Sequence, residues 1–312
     1  MRTPELSIAL LGPRGQVGWQ LQRSLAVLGR VTVLDRQGGA GSGGLSNPDG
    51  LRQALRSVRP HVIVNAAAWT AVDKAESERA AADAVNHLAC GVLAEEAARA
   101  HALLVHYSTD YVFPGTGERP WVETDATDPV NAYGQTKLDG EQAIARVGGA
   151  HLILRTSWVF DTWGQNFLKT IVRAATQRDA LTVVDDQWGA PTRAALIADV
   201  TAHAIRRWLS VGESERAALS GLYHLAPAGF TNWHSYAQRA IAQAQAAGLA
   251  VRAAPEQVKP VPSTAYPTPA KRPANSRLDT RKLRESFDLV LPTWESGVDA
   301  VVRELVASGF FK

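Results

Sequence analysis

The chain has a single cysteine, Cys90. That excludes a disulfide within the chain, and with it the small cross-linked secreted scaffold. Cys90 lies in an Ala-rich helical pattern, where a packed core thiol in a reduced compartment is the simplest reading. No uncharged apolar run is long enough to span a bilayer. The opening residues, MRTPELSIALLGPRG, pass directly into a strand-like run without a cleavable signal pattern. A cytoplasmic protein with no membrane partner is expected. Net charge is only +3 and no dense Lys/Arg run occurs, so no nucleic-acid partner is expected either. Internal repeats are also missing. What remains is an ordinary globular composition, 46% hydrophobic and 20% charged, over 312 residues. This allows one large domain or two smaller ones.

The apolar run Leu6–Leu11 is followed by Gly12-Pro13-Arg14-Gly15-Gln16-Val17-Gly18, and then by Val17, Leu21, Leu25 and Leu28 at helical spacing. Strand, glycine turn and helix make the first half of a βαβ unit. Such a turn brings backbone N–H groups and a helix N-terminus towards a pyrophosphate. The spacing is GxxGxxG rather than GxGxxG, and a plain tight turn would explain it equally well. A second strand, Val31–Leu34, ends in Asp35, with Arg36 next. The acid suits a ribose diol and the Arg a 2′-phosphate, which leaves NADH and NADPH both open. Gly38–Gly44 reads as a loop near the adenine end, and Asn47-Pro48 as the cap and first turn of a helix.

Further strands are expected at His61–Asn65 and Ala102–His106, with a helix from about Glu76 to Ala100 between them. In doubly wound sheets ligands lie at the carboxyl ends of strands. Gly12–Gly18, Asp35, Ala66–Thr70 and Ser108–Tyr111 all fall at such ends. The stretch 105–137 carries the chemistry. Its strand ends in Tyr107-Ser108-Thr109-Asp110-Tyr111, and after a polar loop come Tyr133 and Lys137. Four residues apart on a helix, a phenol and an ammonium share one face. A cation there should draw the phenol pKa down from about 10, giving a proton carrier for a carbonyl oxygen. An ordinary surface i,i+4 pair is the competing reading of YxxxK alone. Beyond strand His151–Leu154, helices are expected at Asn166–Thr176, Ala195–Leu209, Thr231–Ala247 (with Thr231 as cap) and Trp294–Ala307. Strand-like runs are Leu181–Val184 and Leu222–Leu225. Pro255–Pro273 is too rich in proline for regular helix or central strand, and reads as an ordered loop over a pocket or as a linker.

Nearly end to end, the chain resembles the extended short-chain dehydrogenase/reductases, and within them the family of dTDP-4-dehydrorhamnose reductases. The residues that carry the resemblance are Gly12–Gly18, Asn65–Asp73 (NAAAWTAVD), Tyr107–Phe113 (YSTDYVF), Tyr133–Lys137, Arg155–Val159 (RTSWV) and Gly189–Thr192 (GAPT). YxxxK marks only the superfamily; the other motifs are far more specific. The resemblance implies an α/β fold, a Rossmann-type doubly wound parallel sheet with a smaller, mostly C-terminal substrate-binding region. Residues 1–160 would hold the dinucleotide and the catalytic Thr/Tyr/Lys. Residues 161–312 would hold mainly substrate, with segments near 181–226 returning to the sheet. The implied reaction is NAD(P)H-dependent reduction of the 4-keto group of dTDP-4-dehydro-β-L-rhamnose, the last step of dTDP-L-rhamnose formation.

By the same resemblance Tyr133 is the proton donor, Lys137 the ribose-binding cation and Thr109 the hydroxyl partner. Gly12, Gly15, Gln16, Val17, Ala68, Trp69, Thr70 and Tyr107 would line the cofactor. Asp110, Tyr111 and Trp158, with Thr109, would contact the dTDP-sugar. Two departures stand out. Where some relatives place acidic Mg²⁺ ligands between subunits, this chain has Gln20 and Ala195, an amide and a methyl that suit a hard cation poorly. A monomer or a metal-independent dimer is expected, with no metal site. Gly44 stands where relatives can carry an Asp near the adenine. Two alternatives stay open: another nucleotide-sugar reductase or epimerase of the superfamily, and a non-catalytic relative of the regulatory β subunit of methionine adenosyltransferase.

Overall fold

Six short apolar segments separated by helices build the centre of the molecule, seen in a computed structural model that describes residues 5–35 and 44–311. They are β1 (Ser7–Leu11), β2 (Arg30–Leu34), β3 (Val62–Asn65), β4 (Leu103–Thr109), β5 (His151–Thr156) and β6 (Gly221–His224). All neighbouring pairs run parallel, in the order β6-β5-β4-β3-β1-β2. Every residue of β1, β3 and β4 is buried, as a parallel sheet covered on both faces requires. The period of two sorts their side chains. Ile8, Leu10, Val62, Val64, Leu103 and Val105 face a core shared with α1 (Gln16–Ala26) and α6 (Ala194–Ser210). Ala9, Leu11, Ile63 and Leu104 face the core under α2 (Pro48–Val58) and α3 (Ala89–Arg99). The chain reverses direction of progress between β1 and β3, so the crevice for a ligand opens there, beyond the carboxyl ends.

Helix α4 (Ala132–Val147) packs on the π turn before α3 and on α3 itself. A second core gathers α5 (Phe167–Gln177), α7 (Trp233–Ala246) and α8 (Trp294–Ala307) around Phe160, Tyr236 and Val298. Of the segment 181–226 expected to return to the central sheet, Gly221–His224 does so. Leu181–Val184 instead pairs with Val258–Val261 in a separate two-stranded sheet. Pro260 is tolerated there because such a strand has an open edge. The expected helix 76–100 is broken into Val72–Ser77, Arg79–Asp83, a π turn Ala84–Leu88 and α3. Asn232, not Thr231, caps α7, accepting from the Ser235 amide at 2.8 Å. Arg36 and the glycine-rich stretch 38–43 lie outside the described residues. No helix among those described is long and apolar enough to cross a membrane.

Candidate active site

The glycine turn separates two kinds of demand. Gly12 has φ +73°, and a Cβ on it would stand 2.5 Å from the Ala67 nitrogen. A Cβ on Gly18 would stand 1.9 Å from the Gly12 oxygen. Both glycines are fixed by packing. Gly15 is not: its φ of −72° suits any residue, and a Cβ there would meet nothing nearer than 3.6 Å. It occupies the N-cap of α1, whose first turn carries neither a side-chain cap nor an acidic residue. Bare backbone and uncapped N–H groups at a helix start suit a pyrophosphate, so the turn fits the expected dinucleotide. Val17 packs against the core. The Gln16 side chain turns away from the turn, donating to the Val159 carbonyl (3.3 Å) and accepting from Asn166 (2.9 Å). At the end of β2, Asp35 meets Arg14 of the glycine turn at 2.7 Å. Nothing in a glycine motif says which intervening side chain folds back over the next strand, so the sequence carries no signal for Arg14.

After β3, Ala68 and Thr70 are exposed and Trp69 is half-buried. Asn86, buried on the π turn, grips this segment: its Oδ1 accepts from the Trp69 amide (2.8 Å) and its Nδ2 donates to the Trp69 carbonyl (3.1 Å) and to Thr136 Oγ1 (3.1 Å). A π turn is a frequent device at functional sites. It has no period that distinguishes it from α-helix in sequence, so the pattern carries no signal for Asn86.

Helix α4 begins where Asn131 accepts from the Gly134 amide (2.8 Å) and Glu76 accepts from the Ala132 amide (2.8 Å). Gly134 lets it press on Tyr111, since a Cβ there would fall 2.2 Å from the Tyr111 oxygen. Tyr133 is thereby held edge-on to Tyr111, ring centroids 5.8 Å apart. Its hydroxyl lies in the neighbourhood of Thr109, which favours the phenolate. Thr109 in turn donates to Asp110 (3.2 Å) and accepts from the Tyr111 amide (3.2 Å). Burial pushes Tyr133 up to about 12, Thr109 opposes this, and Asp110 adds to it. This corrects the expectation of a phenol drawn down by Lys137. Desolvation of the anion outweighs the cation, whose Nζ points elsewhere, donating to the Tyr107 carbonyl at 2.6 Å and lying 3.1 Å from His106 Nε2. Burial also lowers the Lys137 pKa. Asp110 is pushed up to about 7 by burial, with the neighbouring Ser276 and Thr109 pulling the other way.

One expected cofactor contact is placed differently, and one expected substrate contact sits in a packed junction. The Tyr107 ring faces the core rather than the crevice, its hydroxyl 2.7 Å from Thr201 Oγ1. The strand's alternation dictates this, so Tyr107 offers the catalytic end only its carbonyl. Trp158, in the left-handed region at φ +46°, stacks on Trp233 with centroids 3.8 Å apart. Gly189 leaves room for it, as a Cβ there would reach 2.8 Å from the indole. Ser157 and Thr192 both donate to the Ala190 carbonyl. RTSWV and GAPT are thus two halves of one packed junction.

Next to this junction lies a cleft of about 990 Å³, lined among others by Gly115, Phe167, Trp233, Tyr266, Lys271 and Arg272. Thr109, Tyr133 and Lys137 are not among its lining residues; Pro114–Gly117, which are, follow the Asp110–Val112 turn after Phe113. Residues 263–274 form one wall of it. That wall is tied to the catalytic elements. The Lys271 carbonyl accepts from Asn131 (2.8 Å), and Arg272 pairs with Asp73 (2.8 Å), which also accepts from the Ala270 amide (3.1 Å). Lys271 and Arg272 were hidden in a proline-rich stretch whose pattern carries no facing information.

Comparison with known proteins bears on the family and the fold. The model of the RmlD substrate binding domain matches residues 6–307. The dTDP-4-dehydrorhamnose reductase of Salmonella typhimurium is 51% identical over 300 residues, covering 96% of this chain and 98% of that one. That of Burkholderia thailandensis is 48% identical, covering 97% and 100%. Among solved structures, the dTDP-4-dehydrorhamnose reductase of Bacillus anthracis in complex with NADP superposes with a TM-score of 0.84 at 30% identity, covering 96% of this chain and 99% of that chain. A Bordetella bronchiseptica enzyme in complex with NAD⁺, only 14% identical, shares the fold with a TM-score of 0.75.

Proposed function

The chain belongs to the RmlD substrate binding domain family, and on that premise we propose that it is an NAD(P)H-dependent oxidoreductase. It reduces the 4-keto group of dTDP-4-dehydro-β-L-rhamnose to give dTDP-β-L-rhamnose. The observation that carries the reading is the convergence of Thr109, at the carboxyl end of β4, with the buried Tyr133 of α4, near a cleft with basic residues in its wall. The nicotinamide, when bound, supplies the hydride to C4. Tyr133 donates the proton to the 4-keto oxygen. Because burial keeps the phenol protonated across the physiological range, the resting residue is already in the form that reduction consumes. Thr109 orients that hydroxyl and, together with Lys137, steadies the phenolate left behind.

Gly12, Gly15 and the amides of Gln16 and Val17 hold the pyrophosphate. Arg14 and Asp35 face the adenosine ribose, and Ala68, Trp69 and Thr70 the nicotinamide half. Asp110, Tyr111, Trp158, Lys271 and Arg272 bind the sugar nucleotide, the two basic residues meeting its diphosphate. In this reading residues 1–160 carry the cofactor and residues 161–312 most of the substrate contacts. The protein acts in the cytoplasm as a monomer or a metal-independent dimer. The direct test supplies purified protein with dTDP-4-dehydro-rhamnose and either NADPH or NADH, following nicotinamide oxidation. Stoichiometric net consumption supports a reductase over an epimerase, and absence of turnover with both cofactors overturns the proposal.

A further inference from the structure

Behind Lys137 lies a buried polar chain that proton donation by Tyr133 does not use. Asn65 ends β3 and His106 lies opposite it in register on β4. Both are 1% exposed, as is Lys137. Asn65 Nδ2 lies 3.1 Å from His106 Nδ1, and His106 Nε2 lies 3.1 Å from Lys137 Nζ. The orientation of the amide is not free. Asn65 Oδ1 accepts from the Ala67 amide at 3.2 Å, and a backbone N–H can only donate. Nδ2 must therefore face the imidazole, and Nδ1 must accept. A neutral ring that accepts at Nδ1 carries its proton on Nε2, and an Nε2–H facing an ammonium would set donor against donor.

We infer that His106 is a positioning residue that holds Lys137 as a neutral amine until the cofactor binds, so that cofactor binding takes up one proton from solvent onto Nζ. In the resting chain the amine accepts from His106 Nε2–H and donates to the Tyr107 carbonyl. The surroundings agree. Burial depresses both the imidazole and the ammonium. Cys90, packed from α3 at 3.8 Å from Nε2, is pushed up to about 11 and stays a neutral thiol whose Sγ–H bonds the Asn86 carbonyl. Glu141, on the lysine's own helix, is already engaged by Arg155 of β5 through bonds of 2.8 and 2.6 Å. Glu141 favours the ammonium, but its carboxylate is shared with Arg155 and burial outweighs it. The cation that steadies the Tyr133 phenolate would then arrive together with the nicotinamide ribose.

The inference rests on the reading of this site as a nicotinamide site, and its first test does not. ¹⁵N NMR of the histidine rings in cofactor-free protein, with His106 assigned by the signals lost in His106→Gln, should show a neutral ring protonated on Nε2. A ring protonated on Nδ1, or an imidazolium, overturns the inference even if the protein proves an active reductase. The second test is calorimetry of NADPH binding at pH 8 in buffers of different ionisation enthalpy, where the 2′-phosphate is already fully ionised. Uptake of about one proton per site is expected, and binding without uptake overturns the inference. Asn65→Asp should reverse both readings. Its carboxylate accepts Nδ1–H, Nε2 becomes an acceptor, Lys137 stays an ammonium and uptake falls towards zero. Should that variant not fold, the wild-type tautomer and proton count still decide. Absence of NADPH binding would count against the proposed function, and the ring tautomer alone would then judge this inference.

Discussion

Tyr133 sits where its anion is penalised, and that decides which half of a proton transfer the resting residue is ready to perform. Removing only the hydroxyl isolates that role. Tyr133→Phe should lower turnover by orders of magnitude while cofactor affinity, measured by fluorescence titration, changes little. Near-normal turnover would mean that another acid protonates the product. Asp110 offers a second reading. Its carboxyl is raised by burial to about 7, so the folded state binds a proton that the unfolded chain releases between about pH 4 and pH 7. Stability should therefore be fully present below pH 4 and decline as pH rises to 7, by an upper limit of roughly 4 kcal/mol. Asp110→Asn should flatten that slope in denaturant titrations across the window, and an unchanged slope would show that the carboxyl ionises freely. The Tyr133 and Lys137 pair was legible from a four-residue spacing, and the cluster of hydroxyls from its strand end. Thr109 was singled out within that cluster only by the family resemblance. The balance of charge among the three was not legible, because it depends on burial and on where Nζ points, and neither leaves a mark in the local pattern.

Among the elements, the turn between β1 and α1 separates what the fold needs from what a ligand needs. Gly12→Ala forces a methyl into the Ala66–Ala67 backbone at positive φ and should cost about 2 kcal/mol or more, read as a fall in thermal midpoint. Gly15→Ala meets no such obstacle. It should leave the thermal midpoint of the cofactor-free protein within a degree or two while weakening NADPH binding about tenfold or more, as the methyl occupies space meant for the pyrophosphate. Equal affinity in the variant would remove the turn from the cofactor site. Most strands and helices were readable from hydrophobic period, within a residue or two at their ends. The failures were local and physical. The π turn at Ala84–Leu88 carries the Asn86 that grips Trp69, and the strand Val258–Val261 exists only because Leu181–Val184 is there to pair with it.

At the scale of the whole molecule, the substitutions at Gln20 and Ala195 predict that chelation does not alter assembly. Size-exclusion elution should be the same with and without EDTA, and a dimer that EDTA splits would contradict it. The doubly wound sheet could be foreseen from the order of strands and glycines; the exchange of segments between its two halves could not, since pairing partners far apart in sequence are chosen by shape. That exchange also bears on how the chain is made. β5 has β4 on one side and receives β6 on the other only after Phe160, Leu181 and Trp208 have all been synthesised, and α6 must come back to cover the face of α1. During synthesis, the first 160 residues emerge with an unsatisfied strand edge and an uncovered apolar face, a template for association with neighbouring nascent chains. Nascent-chain crowding and early chaperone capture, rather than the stability of the finished enzyme, should therefore limit its yield.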